Sequence, residues 1–407
     1  MNATIDDNIL SPDHVEDPYS YFAVVRSNDP VHWNERYNAW FIHRYNDVLS
    51  ALKDTTRFSS DRVWPAFAKL TAEEQNDRKT IYDILGDWLV FHDPPSHTRL
   101  RRLFSSAFTP RAIEKWRTRI EEIVCDVTHS TIVDHNPIDV IRDFAYPIPA
   151  LVIAAMLGVP ASDRDLFKAW SDDIMGLVFG ARELEDRHRR AEHSLTLMSD
   201  YVRELIRYFR QNASDTLIGK LTDVQKVDSS LTDDEIVANC ILFLFGGHET
   251  TTNLIGNGFR ALMQWPQQYE RLRSAPDLLR PAIEELLRFD GPSKTEVRIA
   301  SEDVNVRGKV IRRGDMVYLV QASANRDPDV FSSPDVLDIE RNEAPHVGFG
   351  FGLHYCLGAA LARLEGSIAI DALIQNLQNP HPTGDERWIP TIISRGMESF
   401  PVEFELR

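Results

Sequence analysis

The stretch HVGFGFGLHYCLGAALARLEG runs from His346 to Gly366 with a single cysteine, Cys356, near its middle. Gly348, Gly350 and Gly352 make its first half a loop without side-chain bulk. The apolar spacing from Leu357 to Leu364 predicts a helix, with Gly358 leaving the first turn open. Cys356 is therefore expected at a helix N-terminus, where unpaired N–H groups and the positive end of the helix dipole favour a thiolate. One sulfur does not hold a metal alone. When a thiolate is the only protein ligand to iron, a macrocycle supplies the other four, and haem does so. Two other readings stay open on these residues: a small buried thiol beside a helix, or a zinc site on His346, His354 and Cys356. The zinc reading lacks a CxxC or a second ligand pair at zinc spacing.

Phe349, Gly352, Cys356 and Gly358 stand in the order FxxGxxxCxG, with GxHxC at Gly352, His354 and Cys356. This resembles the haem loop of the cytochrome P-450 monooxygenases, in its bacterial form. The resemblance implies that Cys356 ligates the iron of haem b and that Phe349 and His354 bind the same cofactor.

The chain has 407 residues, 43% of them hydrophobic, enough for a substantial core in one large domain or two smaller ones. Lys and Arg number 45 against 62 Asp and Glu, a formal charge of -17, which excludes a nucleic-acid backbone as the natural partner. Cys125, Cys240 and Cys356 are odd in number and far apart, which points to a reducing compartment; Cys125 and Cys240 are assigned to packing. The segment MNATIDDNILSPDHVEDPY has no basic start followed by an apolar run. The longest apolar run, Ile236 to Phe245, is about half of the ~20 residues a membrane span needs. A cytoplasmic monomer with no membrane contact is expected.

From Val31, VHWNERYNAWFIHRY predicts two short strands around a turn at Asn34 to Asn38, then a helix from Asn46 to Leu52. Arg57 to Leu89 shows no sustained period and by itself reads as surface loop and short helix. By resemblance it covers the substrate pocket, and Trp88 is assigned there. In FHDPPSHTRLRR, Ser96 is expected to cap a helix that carries His97 and Arg101 on one face. Alone, the pair reads as a solvated basic face. Because DPPSHTRLR resembles the family's propionate-binding helix, the resemblance assigns both to the haem carboxylates. Between Pro110 and Leu217 the period is helical, broken at Pro147, Pro149 and Pro160. Trp170, Ile174, Met175, Val178 and Phe179 form an apolar stripe that reads as core; by resemblance Met175, Val178 and Phe179 touch substrate.

LTDDEIVANCILFLFGGHETTTNLIGNGFRALMQWP predicts a long helix from a Thr232/Glu235 capping box to Pro266. Gly246, Gly247 and the threonines at 250–252 disfavour helix, so a local opening or a kink is expected over 246–252. GGHETT resembles the family's oxygen-activation motif. The resemblance gives Glu249 a proton-relay role and Thr250 a hydroxyl toward dioxygen, and places Leu242, Phe245 and Gly246 at the pocket. His248 is expected to point away as a packed or solvated side chain.

In PAIEELLRFDGP, Glu285 and Arg288 lie three apart on a helix, an arrangement that means little if exposed. As the family's ExxR they are implied to be a buried structural pair, with Arg341 as its third member. The alternating run VRIASEDVNVRGKVIRRGDMVYLVQ predicts a hairpin with a flanking strand, the turn at Arg312 to Asp315. By resemblance Arg298 contacts a haem propionate and Thr295 the pocket. Lys294 and Glu296 beside them hint at a polar group on the substrate. The tail SRGMESFPVEF predicts a final turn with Met397 and Glu398 toward the pocket.

The resemblance implies one domain over 1–407, mainly α with a small β region, with haem between the long central helix and the cysteine-loop helix. The implied reaction is monooxygenation of a small organic, mostly hydrophobic substrate by dioxygen. A separate ferredoxin or flavodoxin with its reductase supplies electrons, docking where Arg99, Arg102 and Arg363 offset the acidity. The same scaffold driven by peroxide or rearranging its substrate, and a non-catalytic haem sensor, are the rivals.

Overall fold

The computed structural model describes residues 5–132, 135–178, 186–228 and 230–406. Phe179 and the side chain of Met175 lie outside the described residues. Among the described residues the architecture is helical, with four small sheets. The chain divides into two compact units, Met1–Ser59 with Thr118–Ile148 and Thr250–Arg407, and Ser60–Arg117 with Pro149–Glu249.

The first unit holds the largest sheet, five strands in the order Val31–Asn34, Ala39–Ile42, Met316–Leu319, Glu296–Ala300, Phe58–Ser59. Val31–Asn34 and Ala39–Ile42 form the expected hairpin, and Trp40 pairs in parallel with Val317 while Arg298 opposes Val317 from the other side. Ile42, Val48, Leu52, Phe58, Ile311, Leu319 and Phe331 are buried together over this sheet with Val347 of the cysteine loop. Each such side chain contributes roughly 1.5–3 kcal/mol of transfer free energy, so the loop is seated on a rigid base. The inserted hairpin, Val304–Val306 against Lys309–Ile311, turns at Arg307 and Gly308 with φ of 50° and 82°. Two positive φ values make the strand twist match the turn, so the turn is there and not at Arg312 to Asp315, which instead leads into Met316–Leu319.

The second unit is helical, with Ala72–Gly86, Ser96–Ser105, Arg164–Val178, Arg187–Gln211 and Leu217–Val227 as its main elements. Ser96 is the first helical residue rather than the cap, and Pro95 precedes it without a side-chain cap bond. The fixed φ of proline starts the helix here without one.

Asp233–Gln264 is one continuous helix. Thr232 and Glu235 exchange their capping bonds at 3.1 and 3.0 Å. The opening expected over 246–252 does not interrupt it. Burial overrides propensity: Ile255 and Phe259 are fully buried, and a Cβ at Gly247 would meet Ile153 at 3.2 Å. The most apolar long stretch is Val140–Leu157, not Ile236 to Phe245, and 61% of it is buried inside the fold.

Candidate active site

Cys356 lies three residues before the helix Ala359–Asn376, whose N-cap is Gly358. The loop reaches it through a single turn, Gly352–His354, with φ of 70° at Gly350 and 69° at Gly352. Only glycine adopts that conformation cheaply. The Cys356 N–H donates to the Phe349 carbonyl at 2.9 Å, so the backbone fixes the sulfur's direction. Cys356 is exposed, and a Cβ at Gly358 would meet no atom within 4 Å. An exposed cysteine sulfur next to open space at the mouth of a helix would fit a macrocycle bound through its metal. The zinc alternative does not fit: His346 accepts from the Gly348 N–H at Nδ1 (3.1 Å) and faces Glu284 Oε2 at Nε2 (3.1 Å), so both ring nitrogens are engaged.

Arg298 is buried in the middle of the five-stranded sheet, where it donates to the Val297 carbonyl at 2.9 Å and to the Glu296 carboxylate. The other oxygen of Glu296 presses on the loop, 3.1 Å from where a Cβ at Gly350 would be. Glu296 therefore orients Arg298, a role that the sequence, where this charge only hinted at a polar group on the substrate, did not reveal. Ser293 donates to Gln321 Oε1 at 2.7 Å and buried Thr295 to the Ile392 carbonyl at 3.0 Å, so both hydroxyls are also committed within the protein. His354 is half-buried in the loop.

Glu285 and Arg288 are buried and meet through two hydrogen bonds, 2.7 and 2.8 Å. Arg341 Nε donates to Glu285 Oε1 at 3.2 Å, and Arg288 also ties the carbonyls of Asn325 and Pro334 at 2.9 Å each. Glu285 accepts the Asp338 N–H besides, at 2.9 Å. Met397 is buried, while Glu398 is exposed and stands 3.7 Å from Arg387. Cys125 does not serve packing: it is exposed on Arg117–Ile132, where His129 Nδ1 sits 3.8 Å from its sulfur. Cys240 is buried, and burial pushes its thiol up.

In the second unit His97 is buried and Arg101 half-buried, one turn apart on Ser96–Ser105. Trp88 is buried against Phe91 and Phe245, with ring centroids 5.9 and 5.6 Å away. Val178 is half-buried at the end of its helix.

The long helix carries the clearest signal. Leu242, Gly246 and Thr250, four residues apart in turn, are half-covered, while Ile241, Phe243, Leu244, Phe245, His248 and Glu249 around them are buried. A Cβ at Gly246 would meet nothing within 4 Å. One stripe in the middle of this helix thus borders open space, and Glu249, which is buried, precedes its last member in sequence. His248 donates from Nδ1 to the Leu244 carbonyl at 2.6 Å, and burial holds its basicity below the ordinary histidine value.

The family model for cytochrome P450 matches residues 32–392. The chain is 35% identical to "Biotin biosynthesis cytochrome P450" of Bacillus subtilis over 99% of its own length and 100% of that protein. It is 38% identical to "Vitamin D(3) 25-hydroxylase" of Pseudonocardia autotrophica over 88% of its length and 86% of that protein. Among solved structures, P450BioI in complex with an acyl carrier protein ligated to hexadec-9Z-enoic acid superposes with a TM-score of 0.88 at 34% identity, covering 97% of this chain and 99% of that one. A cysteine held by its own loop backbone at a helix mouth, on a fold shared along almost the whole length, places this chain in the cytochrome P450 family of haem b monooxygenases.

Proposed function

We propose that this chain inserts one atom of dioxygen into a small-to-medium, mostly hydrophobic organic substrate, as one haem-thiolate domain over 1–407. The observation that carries the reading is the half-covered stripe Leu242, Gly246, Thr250 with Glu249 beside it. Bound haem supplies the iron chemistry of oxygen reduction. Cys356 would hold its metal, and His97, Arg101 and Arg298 its carboxylates, as charge-assisted donors.

The Phe349 carbonyl takes the Cys356 N–H, which fixes the sulfur on the loop. Thr250 presents a hydroxyl at the edge of the open stripe, and Glu249, buried one residue earlier, is the acid that would relay protons toward it. An acid and an alcohol in sequence move protons inward while apolar Leu242 and Phe245 keep bulk water out. A peroxide-driven enzyme has less need of that pair. Trp88, Val178, Phe179, Leu242, Phe245, Gly246, Thr295 and Met397 are proposed to shape the pocket.

Electrons come from a separate ferredoxin or flavodoxin with its reductase. Arg99 is committed to Glu235, at 3.3 Å through one nitrogen, and Arg363 to Glu284. Arg102, with 72% of its side chain exposed and Asp228 at 3.4 Å, is the cation of the three most available to a partner. A cytoplasmic location is proposed with this electron supply.

The reading is tested by the reduced carbonyl adduct of purified protein. A red-shifted Soret band from thiolate coordination is expected, and its absence in haem-loaded protein would refute the assignment. Substrate class is then sought by spectral titration with terpenoids, steroids, aromatics and acyl chains. Acyl chains belong in that set both free and carrier-bound, because one solved neighbour holds an acyl-bearing carrier protein.

A further inference from the structure

Phe349 is the residue through which the cysteine loop is tied to the rest of the first unit. Its carbonyl accepts the Cys356 N–H at 2.9 Å. Its ring is covered by the guanidinium of Arg363, whose central carbon lies 4.5 Å from the ring centroid, and it meets the rings of His346 and Tyr355 at 5.9 and 6.2 Å.

Arg363 does not reach this position by chance of rotamer. Its Nε and Nη2 donate to the two oxygens of Glu284 at 2.5 and 2.8 Å, and Nη1 donates to the Tyr355 hydroxyl at 3.1 Å. The bidentate fork leaves the planar group little freedom except the stack on Phe349. Glu284 is held in turn. The Gly348 N–H occupies His346 Nδ1, which makes Nε2 the protonated nitrogen and aims it at Glu284 Oε2, 3.1 Å away. Burial alone would raise the Glu284 carboxyl, but hydrogen bonds from Arg363 and His346, with the Arg363 charge, outweigh it and hold it down to about 2. The same partner raises Arg363 against the effect of burial. A fixed ion pair therefore stands against the one ring whose backbone orients the cysteine. Its members line an open cleft of about 660 Å³ together with Phe349 and Tyr355.

We propose that Arg363 is a positioning residue of the cysteine loop whose charge, clamped over Phe349 by Glu284 and His346, raises the reduction potential of the bound haem. The proposal rests on the haem-thiolate reading. Reduction of a haem held by Cys356 would add one negative charge there, and a cation fixed against the cysteine loop would favour the reduced state, while the carboxylate of Glu284 would partly cancel it. Glu284 and Arg363 thus act in opposite directions on one quantity, although both serve the same clamp.

The experiment is potentiometric titration of the haem-loaded full chain, with the Soret band of the carbonyl adduct followed in parallel. Arg363→Gln lowers the midpoint potential; Glu284→Gln, which keeps an oxygen to accept from Arg363 but removes the negative charge, raises it. Arg363→Lys keeps the charge and stays nearer the parent than Arg363→Gln. Should Arg363→Gln fail to retain a thiolate adduct, Glu284→Gln and Arg363→Lys carry the test alone. A potential that moves the same way in Arg363→Gln and Glu284→Gln, that falls in Arg363→Lys as far as in Arg363→Gln, or that does not move at all overturns the proposal. Failure of the parent protein to bind haem through sulfur would instead defeat the underlying reading, so the two are told apart.

Discussion

Glu285 and Arg288, one helical turn apart, close on each other through two hydrogen bonds of 2.7 and 2.8 Å with 2% and 3% of their side chains exposed. A pair so deeply buried is poorly rewarded for its own attraction, because desolvation offsets most of it. Its effect is to hold five further residues: Arg288 binds the carbonyls of Asn325, Pro334 and Val336, and Glu285 binds Arg341 and the Asp338 amide.

Removing one partner leaves the other charged and buried. Glu285→Ala is expected to destabilise the protein by about 3–5 kcal/mol, read as a lower urea midpoint with unchanged slope. Stability within about 0.5 kcal/mol of the parent would show that the triad is not the anchor argued here.

Thr250→Ala should leave haem binding intact while diverting electrons from product. The ratio of product formed to NADPH consumed falls several-fold, and Glu249→Gln slows turnover itself by about 10²-fold, at the low end for lost acid catalysis. Equal coupling in parent and Thr250→Ala would remove Thr250 from the proton path.

Lys294 is buried, and its ammonium makes no hydrogen bond or ion pair among the described residues. Burial first, then Arg395, pushes it down to about 7, with Asp290 opposing. The unfolded chain binds this proton up to about pH 10.5, so between pH 7 and 10.5 it holds more protons than the folded one and stability at this site rises with pH. Lys294→Met should stabilise the protein by a few kcal/mol near pH 7 and by progressively less as pH approaches 10. Thermal melts at both ends of that window decide it, and an equal gain at both would refute the titration argument.

His43 follows the same sign at lower pH. It is buried with no hydrogen-bond partner for either ring nitrogen among the described residues, and burial, with His32 and Arg26, holds it well below the ordinary histidine value of 6.5. Its penalty begins as pH falls below that unfolded value and grows toward the folded one. His43→Leu should therefore flatten the acid limb of the stability curve between pH 6.5 and 5; a parallel curve would mean that other groups dominate.

Gly350 has φ of 70° and room for a Cβ only at 3.1 Å from Glu296 Oε2. Gly350→Ala costs about 1–2 kcal/mol in backbone strain alone and displaces the carboxylate that orients Arg298. Faster haem loss to an apo-globin trap is the expected outcome, and an unchanged rate would separate the loop from cofactor retention.

Much of the architecture was legible because it rests on local rules. The capping box at Thr232 and Glu235, the hairpin from Val31 and the glycine-rich loop before Cys356 each declare themselves within a few residues. The misses have one cause. The opening over 246–252, the turn at Arg312, the packing role of Cys125 and the part Glu296 plays toward Arg298 all depended on what lies across the fold.

The sequence alone determined that a cysteine follows a loop of glycines at a helix mouth and that an acid and an alcohol sit midway along a long apolar helix, since both follow from spacing along one chain. Tertiary structure alone decided that Glu296 serves Arg298 and that Arg363 is locked over Phe349 by Glu284. Those contacts join residues up to 79 positions apart, and neither composition nor periodicity encodes which charges folding will bring within hydrogen-bond reach.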